Sequence, residues 1–125
     1  MAQTLDQQRA QFAWVAVNRA HASIANFSDY KNLAKGAPAL VMGNGLMATI
    51  AFYKSRDKAH ATQLMNDILG GLAHRDGQKG IPPFAAAMQR FQIMESRDYM
   101  RATDETLAML KWLRQFADAV ESAGG

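Results

Sequence analysis

The sequence predicts an all-α fold, a single compact bundle of about six helices that takes in residues 1–125. No segment alternates apolar and polar residues for long enough to predict a β-strand. Apolar residues instead recur at helical spacing, and residues typical of helix ends separate the apolar segments. A chain of 125 residues is long enough to bury one independent core, so a single domain is expected.

Two helices are predicted before residue 37. The capping-box spacing at Thr4–Gln7 predicts a first helix from about Leu5 to Asn26. Apolar residues lie on more than one side of this helix, so we expect it to be contacted on more than one side. Ser28 is placed to cap a short second helix over residues 29–35, which Gly36 would end.

The longest apolar segment, Pro38–Phe52, is interrupted only by Gly43-Asn44-Gly45. Proline suits the first turn of a helix, so a third helix is predicted from Pro38 to about Ser55. Glycine inside a helix costs about 1 kcal/mol relative to alanine. We therefore interpret the Gly-Asn-Gly segment as a crossing point in the core, where Gly45→Leu would overpack. It is not a phosphate-binding loop, because no strand precedes it and no lysine follows it.

Two further helices are predicted between residues 57 and 92. Asp57 is placed to cap a fourth helix that extends to Ala73, and Gly70-Gly71 is expected to weaken or bend its last turns. Pro82-Pro83 suits the opening of a fifth helix that ends near Gln92.

The last helix, capped by Ser96 and ending near Glu121, has the clearest two-sided pattern. At about 100° per residue, its two faces separate into one that is apolar and one that is polar. The polar face is expected to lie in solvent and to carry Arg97, Arg101, Asp104 and Lys111. The apolar face, expected to be buried, contains Tyr99, Ala102, Thr106, Leu110, Leu113, Ala117 and Val120.

Composition narrows the classes of protein. The chain has no cysteine, which excludes disulfides, thiolate metal sites and cysteine nucleophiles and is consistent with a reducing cytoplasm, the expected location. It has no apolar run long enough to span a membrane and begins without the features of a signal peptide. The net charge of +3 permits binding to nucleic acid without requiring it.

Catalytic and metal-binding patterns are missing from the sequence. The histidines, His21, His60 and His74, include no pair at the i, i+4 spacing of a metal-binding helix face. The carboxylates do not form an acid–base pair, and most serines lie where helix caps are expected. We therefore predict that the chain is not an enzyme and holds neither a metal nor another cofactor.

The basic residues, unlike the acidic ones, suggest a binding surface. Lys54, Arg56 and Lys58 cluster at the junction of the third and fourth predicted helices. Such a cluster neutralises phosphates in RNA-binding proteins and is otherwise an ordinary solvated surface. Three tyrosines lie near basic residues in the sequence: Tyr30, Tyr53 and Tyr99. Two interpretations are open for each, stacking on an RNA base or a place at the edge of the core.

Several motifs, taken in order, carry a resemblance to a known family. They are Phe12-Ala13; Tyr30 followed by Leu33-Ala-Lys-Gly-Ala-Pro38; Asn44-Gly-Leu46 with Thr49-Ile-Ala-Phe52; and Asp98-Tyr99-x-x-x-Thr103-x-Glu105-Thr106-Leu107 followed by Lys111-Trp-Leu-Arg-Gln-Phe-Ala117. Their order and spacing resemble the small helical subunit of the type III-B CRISPR effector, the Cmr complex. The resemblance covers nearly the whole chain and departs at Met47, where the family commonly has a small residue.

The resemblance implies a non-catalytic scaffold subunit in antiviral defence. Such subunits stack along the effector beside its backbone subunits, its large subunit and copies of themselves, and they help to form the channel for crRNA and target RNA. Base pairing with the guide RNA would recognise the target sequence, so the protein would contact the RNA backbone and recognise the shape of the RNA. On this interpretation the RNA-contacting residues are Lys54, Arg56, Lys58, Arg97, Arg101 and Lys111.

Two alternatives stay open at this point. One is the small subunit of a type III-A effector. The other is a helical protein–protein adaptor without a nucleic-acid role, which the methionine content and a surface Trp112 would favour.

Overall fold

The computed structural model describes residues 2–122 and has six α-helices in that range, without a strand. The predicted all-α fold of about six helices is therefore confirmed. The helices are α1 (Leu5–Ser23), α2 (Phe27–Asn44), α3 (Leu46–Arg56), α4 (Ala59–Arg75), α5 (Phe84–Ile93) and α6 (Ser96–Ser122).

The longest helix, α6, organises the core. It packs along α1 and α2 and also contacts α4, while α3 lies against α4 and α2. Its predicted buried face is largely confirmed: Tyr99 and Ala102 are partly buried at the N-terminal end, and the rest of the face is buried. The remaining members are Thr106, Leu110, Leu113, Ala117 and Val120.

The predicted boundary between the second and third helices is wrong. α2 continues through Gly36 and Pro38 without interruption. Ala34, Ala37 and Val41 are buried at helical spacing, so packing of one continuous face outweighs the hydrogen bond that proline removes.

The break between α2 and α3 falls at Gly45, whose φ of +90° favours glycine. The Gly-Asn-Gly segment is thus not a crossing point in the core. Gly43 and Asn44 are exposed, and Gly43 has no neighbour within 4 Å of an added Cβ atom. The hydroxyl of Tyr99 on α6 accepts a hydrogen bond of 3.0 Å from the backbone N–H of Met47, so α6 supplies a cap that Gly45 lacks.

The close approach expected of glycine occurs instead on α4. Gly70 and Gly71 are buried, and α4 continues past them to Arg75 without the early end that the sequence suggested. A methyl group at Gly71 would overlap Met109 of α6 and lie 3.2 Å from Phe12 of α1. These glycines therefore allow α4 to approach both neighbours.

Helix ends agree with the sequence in some places only. The capping box of Thr4 and Gln7 is present, with hydrogen bonds of 3.0 and 2.8 Å. Asp57 does not cap α4; its left-handed conformation ends α3, and Lys58 precedes α4. Ser28 does not cap α2, because the N-cap is Asn26 and the Ser28 hydroxyl donates to Glu121.

Four further boundaries differ from those predicted. α1 ends at Ser23 rather than near Asn26, and α5 begins at Phe84, after both prolines. Ser96 is the first residue of α6 rather than a residue before it, and α6 extends to Ser122, one residue beyond the predicted end. The predicted frayed tail at residues 123–125 lies outside the described residues.

A buried polar contact joins α2 to α4. The hydroxyl of Tyr30 donates to Asp67 at 2.6 Å, and the amide of Gln63 donates to the other carboxylate oxygen at 2.9 Å. Burial raises the pKa of Asp67 to about 6, although both hydrogen bonds and Arg19 act in the opposite direction.

We predict opposite effects of alanine at two neighbouring glycines. Gly45→Ala should lower the free energy of unfolding by about 1–2 kcal/mol, because its φ strains a side-chain-bearing residue. Gly43→Ala should raise it by up to about 1 kcal/mol, because the site is helical and open. Urea unfolding of both variants tests this, and a stable Gly45→Ala protein would contradict the backbone argument.

We also predict that Asp67 makes stability depend on pH. The folded pKa of about 6 lies above the value of 3.8 expected in the unfolded chain. Folding therefore favours the protonated carboxyl, and this contribution is lost as the pH rises through 6. Relative to Asp67→Asn, the wild-type protein should lose on the order of 2 kcal/mol between pH 4 and 7. Equal pH profiles for the two proteins would refute this role.

Candidate nucleic-acid interface

Three of the predicted RNA-contacting residues meet at the corner between α3 and α4. Lys54 and Arg56 belong to the last turn of α3, and Lys58 is the residue just before α4. Asp57 turns the chain between them with a φ of +51°. The three basic side chains are exposed, and we call them the α3–α4 corner.

Aromatic rings support two of these cations. The Nζ atom of Lys54 lies 5.8 Å from the ring centroid of Phe84 on α5. The Cζ atom of Arg56 lies 5.6 Å from the centroid of Phe52. Cation–π contacts of this kind orient the side chains, while exposure leaves the charged groups open to solvent.

The α3–α4 corner carries a net positive charge. Within residues 2–122, no carboxylate lies within 4.0 Å of a charged nitrogen of Lys54, Arg56 or Lys58. The N-terminus of α4 adds the partial positive charge of its backbone N–H groups. An incoming anion therefore meets three cations that are not already neutralised by an ion pair.

The remaining predicted residues, Arg97, Arg101 and Lys111, lie on the exposed face of α6 and form the α6 group. Arg97 and Arg101 are one turn apart, whereas Lys111 lies about 15 Å further along the helix. Its Nζ atom is 5.1 Å from the ring centroid of Trp112. None of the three forms an ion pair in the described part of the chain.

The corner and the α6 group are separate surfaces. Tyr99 ties the start of α6 to Met47 at the start of α3, whereas Arg56 ends α3. Nine residues of helix place these two points about 13 Å apart.

Other basic residues hold the fold together. The guanidinium of Arg9 makes two hydrogen bonds of 2.8 Å to Glu105, which connects α1 with α6. Lys31 of α2 donates to Glu121 at 2.6 Å, and this bond raises the pKa of Lys31 and lowers that of Glu121. The sequence separation of these partners hides such pairs from sequence analysis.

The tyrosines belong to the interior rather than to a base-stacking surface. Tyr30 is buried against Asp67, and Tyr99 is partly buried with its hydroxyl at Met47. Tyr53 is buried, and this burial raises its pKa to about 12. Aromatic support for the basic residues comes from Phe52, Phe84 and Trp112 instead.

The structure offers a cleft but no assembled metal site. A cleft of about 1020 Å³ lies between α4, α5 and the first turns of α1 and α6. In the chain from residue 2 to residue 122, no three His, Asp or Glu side chains come together as metal ligands. No helix in that range is both long and apolar enough to cross a membrane.

Comparisons with known proteins point to one family. The sequence profile of the CRISPR-associated protein family Cas_Cmr5 matches residues 5–120. The chain is 32% identical over 117 residues to the CRISPR system Cmr subunit Cmr5 of Thermus thermophilus, with 94% of this chain and 96% of that one covered. The subunit of the same name from Thermotoga maritima is 25% identical over 92 residues, with coverage of 74% and 67%.

A solved structure shares the fold. The crystal structure of a CRISPR-associated Cmr5 family protein from Thermus thermophilus superimposes with a TM-score of 0.76 at 31% sequence identity. The match covers 94% of this chain and 97% of that one.

Neutralising a cation that joins two helices should lower the free energy of unfolding, whereas neutralising an exposed cation without a partner should leave it almost unchanged. Arg9→Gln should lower the free energy of unfolding by about 1–2 kcal/mol, because it removes charged hydrogen bonds from a mostly buried carboxylate. Lys54→Gln, an exposed position, should change it by less than about 0.5 kcal/mol. Thermal and urea unfolding check both values, and comparable losses at the two positions would contradict the assignment.

Proposed function

The chain belongs to the CRISPR-associated Cmr5 family, and we propose that it serves as the non-catalytic small scaffold subunit of a type III-B effector that contacts RNA in antiviral defence. Its partners would be the backbone and large subunits of that effector, further copies of itself, and crRNA with its target. We expect it to act in the cytoplasm, where that RNA would be found.

The observation that carries the RNA proposal is the set of unpaired cations at the α3–α4 corner. Lys54, Arg56 and Lys58 are exposed, aromatic rings steady two of them, and the positive end of α4 adds to their field. Such a surface favours the phosphate backbone, because cations without a carboxylate partner attract a polyanion whatever its base sequence. Sequence recognition then belongs to the guide RNA.

The α6 group extends the proposed contact. Arg97, Arg101 and Lys111 lie on one face of a long helix and have no carboxylate partner in the range 2–122. Charges distributed along a helix suit an elongated polyanion better than a compact ligand. We propose that they meet a different stretch of the RNA backbone from the one at the corner.

A charge-reversal experiment tests the corner. The triple variant Lys54→Glu, Arg56→Glu, Lys58→Glu is assembled into the effector, and target RNA binding is measured at several salt concentrations. Each lost phosphate contact should reduce the slope of log K against log salt by about 0.7. The triple variant should therefore lose a slope of about 2 if all three residues touch single-stranded RNA.

A matched control separates local contact from net charge. Arg19→Glu, Lys35→Glu, Lys79→Glu makes the same change in charge at exposed positions outside both groups and away from α6. Its slope should stay near that of the wild-type effector. The proposal fails if the corner variant folds, assembles and keeps the wild-type slope, or if the control lowers the slope equally.

A further inference from the structure

One aromatic ring on α3 is exposed beside the cations of the α3–α4 corner. Among the aromatic side chains of residues 2–122, only Trp14 and Phe52 are exposed, at 49% and 43%. Of these two, only Phe52 has a cation over its ring in that range, with the Cζ atom of Arg56 5.6 Å from the centroid. Single exposed apolar side chains are common on protein surfaces, so the surroundings of Phe52 decide what it can bind.

The side chains beside Phe52 on the exposed face of α3 are small. At 100° per residue, Ala48, Ala51 and Ser55 lie roughly 40°, 100° and 60° around the helix from Phe52. All three are exposed. The Ser55 hydroxyl donates to the backbone carbonyl of Phe52 at 2.7 Å, so it stays close to the helix. A flat molecule can therefore approach the ring across this face without meeting a long side chain.

Two neighbours hold the Phe52 ring in place. Tyr53 is buried, and its ring centroid lies 6.0 Å from that of Phe52. Arg56 follows one helical turn later and lies over the ring. The ring is thus positioned before a partner arrives, which lowers the entropic cost of binding, and it is still 43% exposed.

The charge around the ring favours an anionic partner. No Asp or Glu occurs between Asp29 and Asp57, so α3 has no acidic residue of its own. The centres of protein interfaces are depleted in lysine, whereas Lys54 and Lys58 lie exposed at the end of this helix and the beginning of the next. A nucleotide suits this surface better than a protein, because it combines a flat aromatic base with a negatively charged phosphate.

We propose that Phe52 is a stacking platform for an unpaired RNA base beside the α3–α4 corner. Arg56 lies over the same ring, so one nucleotide can place its base on Phe52 and its phosphate at the guanidinium. Stacking uses the face of a base, which all four bases offer, so this contact tolerates any sequence. The inference rests on the proposed function and deepens it by naming the part of the RNA that the ring binds.

Three substitutions at Phe52 test the platform in the assembled effector, with target RNA affinity as the measurement. Phe52→Ala and Phe52→Leu should each lower the affinity about 5- to 150-fold, the equivalent of about 1–3 kcal/mol for one stacked base. Phe52→Trp keeps an aromatic face and should bind at least as tightly as the wild type. Met42→Ala, at an apolar position of α2 that is 75% exposed, is the matched control and should keep the wild-type affinity.

Salt dependence separates stacking from phosphate contact. Stacking releases no counterions, so Phe52→Leu should lower log K equally at every salt concentration and leave the slope against log salt unchanged. The triple variant of the corner, in contrast, should lose slope. A slope that falls by about 0.7 or more in Phe52→Leu would mean that the ring acts only through a neighbouring cation, and would overturn the proposal.

Abasic residues locate the stacked base. Single abasic residues are placed in turn along the target RNA and, in a second series, along the guide RNA. Phe52→Leu should cost less affinity when the abasic residue lies at the stacked position, because the base is already missing there. The same cost at every position of both series would contradict stacking.

The remaining outcomes also decide the question. Wild-type affinity of Phe52→Ala would overturn the proposal, as would a loss for Phe52→Ala that Phe52→Leu does not share, since that pattern indicates an apolar contact without stacking. A folded Phe52→Ala chain that no longer enters the effector would show that the ring meets a protein instead. Urea unfolding of the isolated variants checks that they fold.

Failure of this inference is distinguishable from failure of the proposed function. Phosphate contact is measured by the salt slope of the corner variant, which does not require the Phe52 ring. An effector whose corner variant loses slope but whose Phe52 variants bind normally would refute stacking alone. A corner variant that keeps the wild-type slope would overturn both.

Discussion

Burial of one face of α6 is the constraint on which the rest of the structure depends. Its apolar residues extend over most of a 27-residue helix and need cover from α1, α2 and α4. Gly71 permits that cover, because α4 approaches Met109 more closely than a side chain would allow. Arg9 with Glu105 and Lys31 with Glu121 then fix α1 and α2 on either side. The exposure of Arg97, Arg101 and Lys111 on the opposite face of α6 follows from this arrangement.

The structure divides its cations by role. Those between helices are paired with carboxylates and stabilise the packing, as Arg9 does. Those at the α3–α4 corner and in the α6 group have no such partner in the described chain. Net charge alone cannot make this distinction. The function that we propose would use both kinds, one to keep the shape of the subunit and one to offer charge to a polyanion.

The sequence predicted the all-α class, the capping box at Thr4 and the two faces of α6, because periodicity and caps are local signals. It misplaced the α2–α3 break. Glycine often ends a helix and proline often begins one, so Gly36 and Pro38 predicted a break there, but burial of Ala37 against the core keeps α2 continuous. It also expected the close contact at Gly45 rather than Gly71. The candidate residues were chosen from the sequence and stay a prediction, whereas their separation into two surfaces depends on the Tyr99–Met47 contact, which joins distant segments.

A structure of the assembled effector with bound target RNA would show directly whether the α3–α4 corner meets the RNA backbone. We expect phosphate oxygens within about 4 Å of the charged nitrogens of Lys54, Arg56 and Lys58, the distance of an ion pair. We also expect no hydrogen bonds from these side chains to base edges. A corner that faces open solvent or a protein surface in that structure, with the RNA beyond reach of all three side chains, would contradict this expectation.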